Sequence, residues 1–271
     1  MMDASLRQAF DEHYALTPEQ IESYRTNQFI KLKHVLSPEA IAYMDQVISA
    51  EVDRFNTQNK PLAERDTYGK AFLQIMNLWT RSEAVREIVF SKRLARIAAE
   101  LMGVEGVRMY HDQALYKEPG GGHTPWHADQ YYWPLTTDKT VTVWMPLQAT
   151  PLEYGPLEFS AQSHRLTTGR DKAISDESQE LLERTLQSEG FPHVVEPFDL
   201  GEVSFHAGWL FHRAGPNTTG KMRKVMTVIY MDKAMRLQAP ANSNQIADWE
   251  TWCPGAKVGE VIDTPLNPVI A

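Results

Sequence analysis

The chain has 271 residues, 42% hydrophobic and 23% charged, an ordinary globular composition that can bury a full core within one domain. Its net charge of -8 would repel phosphate backbones, which argues against a nucleic-acid partner. The single cysteine, Cys253, excludes an internal disulfide and a thiolate metal cluster.

One unpaired cysteine suits a reducing compartment, and Met1 to Phe10 lack the apolar run of a signal peptide, so the expected location is cytoplasmic. No segment has the apolar length to cross a bilayer, so no membrane partner is expected. Nothing demands more than a monomer or a homodimer.

In chain order, the first third reads as helices. Thr17-Pro18-Glu19 and Ser37-Pro38-Glu39 each offer a capping hydroxyl, a proline in the first turn and an acid beside it. After Pro38, the residues Ile41, Met44, Val47 and Ile48 recur at helical spacing and predict one buried stripe. A third helix is expected from Ser91 to Gly103, with Leu94, Ile97, Ala98 and Leu101 inward and Gly103 as a left-handed stop.

Beyond Gly103 the period changes to two. Val107 to Tyr116 and Thr140 to Leu147 alternate apolar and polar residues, as half-buried strands do. Further strands are expected at 156–160, 194–198, 203–212 and 224–230, with Gly208 a plausible break and Gly215-Pro216-Asn217 a turn. Asp176 to Ser188 reads as one inserted helix with a solvated charged face. Helices followed by many short strands predict a mainly β fold with flanking helices, an antiparallel barrel or jelly roll. The expected division is a helical buttress over 1–103, the β core over 104–235 and an extension over 236–271, all within one domain.

His127 and Asp129 lie two apart, so on extended chain both point to one side and could bind one ion, with Ala128 turned away. One more histidine would complete a two-histidine, one-carboxylate triad that leaves three positions of an octahedral metal open. His212 is the later candidate, and His206, His164, His111 and His123 compete for the role. Alone, His-x-Asp reads better as a solvated strand-end pair, and Arg223, between Lys221 and Lys224, as a surface cation. Together they suggest more, because arginine presents a planar fork to a carboxylate.

Gln113-Ala-Leu-Tyr-Lys117, Thr124-Pro-Trp-His-Ala-Asp129, Gly155-Pro-Leu-Glu-Phe159 with Ser163-His-Arg165, and Asp199 to Phe205 leading into His212 to Asn217 and Arg223 resemble the phytanoyl-CoA dioxygenase family in order and spacing. The resemblance covers roughly Phe72 to Asp232. It implies a double-stranded β-helix, iron(II), 2-oxoglutarate as co-substrate with O2, and hydroxylation of a small molecule at an unactivated C–H bond with release of succinate and CO2. His127, Asp129 and His212 match the iron ligands, and Arg223 the arginine that binds the far carboxylate of 2-oxoglutarate. Trp144 and Gln113 match positions along the co-substrate pocket; Gln74 and Asn77 lie where the substrate pocket is expected.

Two departures stand out. Ala214 occupies a position where many relatives carry a hydroxyl for the co-substrate, so that contact is either missing or supplied elsewhere, with Thr227, on the strand face of Arg223, as the candidate. Ala128 replaces a frequent glutamine and is expected to face outward. Asp129 itself separates the chain from halogenating relatives, which carry a small residue there, and so points to hydroxylation. Trp126, Tyr131, Tyr132 and Trp133 cluster around the metal motif and read either as packing or as walls of a pocket for an apolar body or a cationic head group. The competing readings are a zinc hydrolase with the same three ligands, in which Arg223 has no purpose, and a barrel that binds a small molecule without catalysis.

Overall fold

The structure is a computed structural model, and it describes residues 2–271. Eight helices and ten strands alternate as α1 (Ala4–Asp11), α2 (Pro18–Asn27), β1 (Phe29–Leu32), α3 (Pro38–Phe55), α4 (Thr67–Ala71), β2 (Leu73–Met76), α5 (Glu83–Val89), α6 (Lys92–Met102), β3 (Val107–Lys117) and β4 (Thr124–His127). There follow β5 (Thr140–Pro146), β6 (Leu157–Ser160), α7 (Asp176–Ser188), β7 (His193–Val195), β8 (Val203–Ala207), β9 (His212–Ala214), β10 (Arg223–Asp232) and α8 (Ser243–Trp252).

The helices start where their capping chemistry allows. Thr17 and Gln20 form a reciprocal capping box at α2, and Ser37 and Ser91 accept from the backbone N–H three residues on in α3 and α6. Gly103 stops α6 at φ +67, in the left-handed region. The inward stripes of α3 and α6 pack, with α1 and α5, over the outer face of a six-stranded sheet ordered β1-β8-β5-β10-β3-β2. A four-stranded sheet, β4-β9-β6-β7, faces it. All named strand pairs are antiparallel, and the two sheets form the open, unclosed jelly roll expected from the strand pattern.

Alternation sorts the large sheet into two faces. Val141, Val143 and Met145 on β5 and Met226, Val228 and Tyr230 on β10 join the apolar core under the helices. Thr142 and Trp144, with Arg223 and Thr227, face a cavity between the sheets. The register of β10 against β3 slips between Ile229 and Tyr230, so Tyr110 has no cross-strand partner there. That bulge leaves Tyr110 on the same side as its neighbour His111, away from the helix-facing Met109.

Two four-residue strands, β1 and β2, occupy the edges of the large sheet within the segment expected to be helical. The expected strand 203–212 is two strands: β8 ends at Ala207 in the large sheet, and β9 begins at His212 in the small one. Gly208 makes the crossing, where a Cβ would sit 2.4 Å from Gln130 Oε1 and 2.6 Å from Thr140 Oγ1. The C-terminal residues run back along β3, where Val107 N donates to Ala271 O and Met109 N to Pro268 O. No helix is long and apolar enough to cross a membrane among the described residues.

Asn77 takes a left-handed conformation, φ +49, just past β2, and its Oδ1 accepts from Asp112 N at 3.2 Å. Asp112 is fully buried and answers with both oxygens, accepting from Leu78 N at 3.0 Å and Trp79 N at 3.1 Å. Asp112→Ala would strand both donors and cost about 3 kcal/mol. Urea denaturation would show this as a lower midpoint at unchanged slope; an unchanged midpoint would contradict the account.

Candidate metal centre and co-substrate cavity

His127 closes β4, and Asp129 opens a short 3-10 turn, Asp129–Tyr132. Ala128 between them is extended, φ -120 and ψ 126, so the imidazole and the carboxylate still project to one side. His212 lies directly across from His127 in the β4–β9 pairing. One ligand atom from each of His127, Asp129 and His212 lies within 4.8 Å of the others.

Both imidazoles are oriented by main-chain carbonyls. His127 Nδ1 lies 2.8 Å from Pro125 O and His212 Nδ1 lies 3.0 Å from Leu210 O. A carbonyl only accepts, so each Nδ1 carries the proton and each Nε2 keeps its lone pair. These two Nε2 atoms stand 3.5 and 3.7 Å from Asp129 Oδ1. Two lone pairs and a carboxylate oxygen thus converge with no proton among them, an arrangement that a cation would relieve.

The second oxygen of Asp129 is held by the other sheet. Thr142 Oγ1 donates to Oδ2 at 2.9 Å, and His206 Nε2 lies 3.5 Å from the same atom. Burial alone would raise the Asp129 carboxyl; the facing His212, His127 and His206, in their protonated form, outweigh it and hold the group well below the usual carboxylate range, as a cation placed among them would. Burial, followed by the neighbouring His127 and His206, pushes the His212 imidazole well down. An ionised carboxylate and neutral imidazoles are the protonation states in which these groups bind a metal.

The cavity has a volume of about 490 Å³ and runs from the triad to Arg223. Arg223 is 1% exposed, and its Nη1 donates to Gly155 O at 2.5 Å. Gly155 sits at φ +67, where a Cβ would fall 2.2 Å from Gly215 O, so only glycine brings its carbonyl this close. The guanidinium lies 5.7 Å from the Trp144 ring centroid, and its Nε has no partner. No acid pairs with it among the described residues. Burial pulls the group down to about 9. A buried cation without a counter-charge, facing a cavity, fits an incoming carboxylate.

Gln113 and Gln74 form a polar wall beside it, with Gln74 Nε2 donating to Gln113 Oε1 at 2.7 Å and Tyr68 Oη to Gln74 Oε1 at 3.1 Å. Thr227 lines the cavity, but its hydroxyl already donates to Gln113 O at 3.2 Å. Thr124, which sequence reasoning missed, is the register partner of Ala214, and its buried Oγ1 has no hydrogen bond. The pairing of β4 with β9, invisible in either strand alone, is what puts this free hydroxyl beside Ala214.

Tyr132 and Trp133 line the cavity, and the Tyr132 hydroxyl also accepts from Ile174 N at 2.9 Å. Trp126 does not line it. Its parity opposes that of His127, and the ring lies under the Arg213 guanidinium at 4.8 Å with Leu182 and Leu186 of α7 packed nearby. Ala128 is likewise covered by this cluster and does not face solvent. Asn77 also lies off the cavity, in the turn described above. Tyr131 ties α8 to the turn by accepting from Asn244 Nδ2 at 3.1 Å, and His164 lies in the Ser163–Arg165 turn, whose Ser163 Oγ accepts from Phe211 N at 3.0 Å.

Comparison with known proteins agrees with this geometry. The sequence profile described as Phytanoyl-CoA dioxygenase (PhyH) matches residues 24–225. A probable alpha-ketoglutarate-dependent hypophosphite dioxygenase of Stutzerimonas stutzeri is 20% identical over 231 residues, 78% of this chain and 77% of the relative. Among solved structures, the non-heme alpha ketoglutarate dependent carbocyclase SnoK from nogalamycin biosynthesis superposes with a TM-score of 0.76 at 21% identity, covering 94% of this chain and 97% of that one. The epimerase SnoN in complex with Fe3+, alpha ketoglutarate and nogalamycin RO gives 0.74 at 22% identity, over 93% and 98%. These likenesses extend the jelly roll over nearly the whole chain, and the profile match shows that the chain belongs to the phytanoyl-CoA dioxygenase family.

Proposed function

We propose that this chain is an iron(II)- and 2-oxoglutarate-dependent dioxygenase that hydroxylates a small molecule at an unactivated C–H bond. One observation carries the reading: Arg223, buried and without a counter-charge, shares a cavity with two lone-pair imidazole nitrogens and an ionised carboxylate. The first needs a carboxylate and the second a cation. A metal-chelating dicarboxylate answers both at once.

His127, Asp129 and His212 would hold the metal, with Oδ1 as the ligating atom of Asp129 because Thr142 donates to Oδ2. Arg223 would take the far carboxylate of 2-oxoglutarate, over the Trp144 ring. Gln113 would flank it, and the free Thr124 hydroxyl would donate to it in place of the one that Ala214 lacks. Iron with 2-oxoglutarate and oxygen supplies the oxidising chemistry, with succinate and CO2 as co-products. The protein's part is a fixed facial donor set, a dry wall and a substrate held over it.

The retained carboxylate of Asp129 favours hydroxylation over halogenation, because it occupies the position a halide would need. Structures named as a carbocyclase and an epimerase share the fold, so the walls around the three donors are the part of this chain that would decide how a substrate is held. Tyr132 and Trp133 are the walls nearest the metal turn. A zinc hydrolase would use the same three ligands but has no role for a buried arginine.

Under anaerobic conditions, iron(II) and 2-oxoglutarate should give the wild-type protein a weak visible metal-to-ligand charge-transfer band. Asp129→Ala should abolish it, and Arg223→Ala should demand roughly a hundredfold more 2-oxoglutarate, a loss of about 3 kcal/mol. Absence of the band at saturating ligand would sink the reading. In the same titration, Thr124→Val should weaken 2-oxoglutarate about tenfold, whereas Thr227→Val, whose hydroxyl is already spent on a carbonyl, should change it little. The reverse order would transfer the role to Thr227.

A further inference from the structure

Helix α8 lies beside the metal turn and presents Asn244, Asp248 and Trp252 at four-residue spacing, and all three line the cavity. Asp248 is 9% exposed. Its Oδ2 accepts from the Tyr110 hydroxyl, while its Oδ1 takes no hydrogen bond from any described residue. The bulge in β3 is what turns Tyr110 to this side, so the fold spends an irregularity on holding the carboxylate by one oxygen.

Among the described residues, no cation pairs with Asp248. Arg213, which also lines the cavity, is paired with Glu158 at 2.8 Å and Glu183 at 3.1 Å. Arg223 pairs in register with Lys117, seven residues along β3 from Tyr110 and so roughly 20 Å away along the strand. His111 stacks 5.2 Å from Trp252, but burial pushes its imidazole down to about 3, leaving it neutral. The aromatic rings of Trp133, Tyr132 and Trp252 line the same cavity, Trp252 one helical turn from Asp248 and Trp133 5.5 Å from the ring of Tyr110, which holds the carboxylate.

We propose that this end of the cavity is an ammonium site, so that the substrate carries an amine or quaternary ammonium group seated between Asp248 and the aromatic wall. The proposal rests on the reading of the cavity as a substrate site. A carboxylate with one free oxygen and π faces around it attract a cation by two independent terms, charge pairing and the ring quadrupoles. A neutral ligand would gain only the apolar contact and leave the acid without a counter-charge. Burial raises the Asp248 carboxyl to about 7, against the pull of the Tyr110 hydrogen bond, so an ammonium arriving beside it restores the charged form.

Choline and its uncharged isostere 3,3-dimethylbutan-1-ol differ only in nitrogen for carbon. Isothermal titration calorimetry of the protein loaded with iron(II) and 2-oxoglutarate without oxygen should find choline at least tenfold tighter than the alcohol. Asp248→Asn, which still offers Tyr110 an acceptor, should bring choline down to the level of the alcohol and leave the alcohol unchanged. Equal binding of the two probes, failure of choline to bind in the millimolar range, or a preference that survives in Asp248→Asn would overturn the ammonium site. The visible band recorded on the same samples keeps the two ideas apart. A band with no discrimination removes the ammonium site alone, and discrimination without a band removes the iron and 2-oxoglutarate assignment alone.

Discussion

The two oxygens of Asp129 answer to two different sheets. Oδ2 accepts from Thr142 on β5 of the large sheet, with His206 on β8 3.5 Å away, and Oδ1 looks toward His127 and His212 on the small sheet. The carboxylate is therefore the seam of the jelly roll as well as its metal-facing group. Its position depends on the crossing at Gly208, because the same short segment supplies His206 before the crossing and His212 after it. Gln130 reinforces the crossing, its N–H donating to Gly208 O at 2.9 Å and its Oε1 accepting from Thr140. A side chain at 208 would push this packing apart and separate the oxygen from both sets of partners.

Charge along the cavity follows from the same construction. Arg223 stands at one end without an acid, Asp129 near the middle without a proton, and Asp248 at the other end without a cation. Each is costly to bury alone. A protein can carry such groups when bound partners complete them, and the order of signs matches the partners proposed above: an anion at Arg223 and cations at the two acids. The overall charge of -8 is therefore a poor guide to the cavity, which holds both signs in sequence.

Much of the centre was legible because its signals are local. His127 and Asp129 share a side through one extended residue, and His212 and Arg223 follow within a short stretch whose turn residues mark the strand ends. The helices α2, α3 and α6 were legible through their caps and spacing. The edge strands β1 and β2 were not, since four residues are too few to establish a period against flanking helices. Thr124 and Asp248 were hidden for another reason. Their importance lies in what fails to bond to them, and that depends on partners 90 residues distant in β9 or on a bulge in β3. Trp126 shows the converse: proximity to a motif in sequence counts for little when strand parity turns the side chain to α7.

The three donors and the opposite wall come from different parts of the fold. His127, His212 and Arg223 sit on strands paired within the two sheets, and Asp129 directly follows β4, so the proposed donor set is positioned by the sheets. The opposite wall comes from the 3-10 turn after Asp129 and from α8, which reaches the turn through Asn244 and Gln245 contacts to Tyr131. Sequence can vary in that wall without touching a metal donor. How far a bound substrate could move would be set by Tyr132, Trp133 and the stripe Asn244, Asp248 and Trp252. A substrate anchored by charge at Asp248 would be held at a fixed distance from the turn that begins at Asp129, so the same wall would select the molecule and decide which part of it faces the three donors.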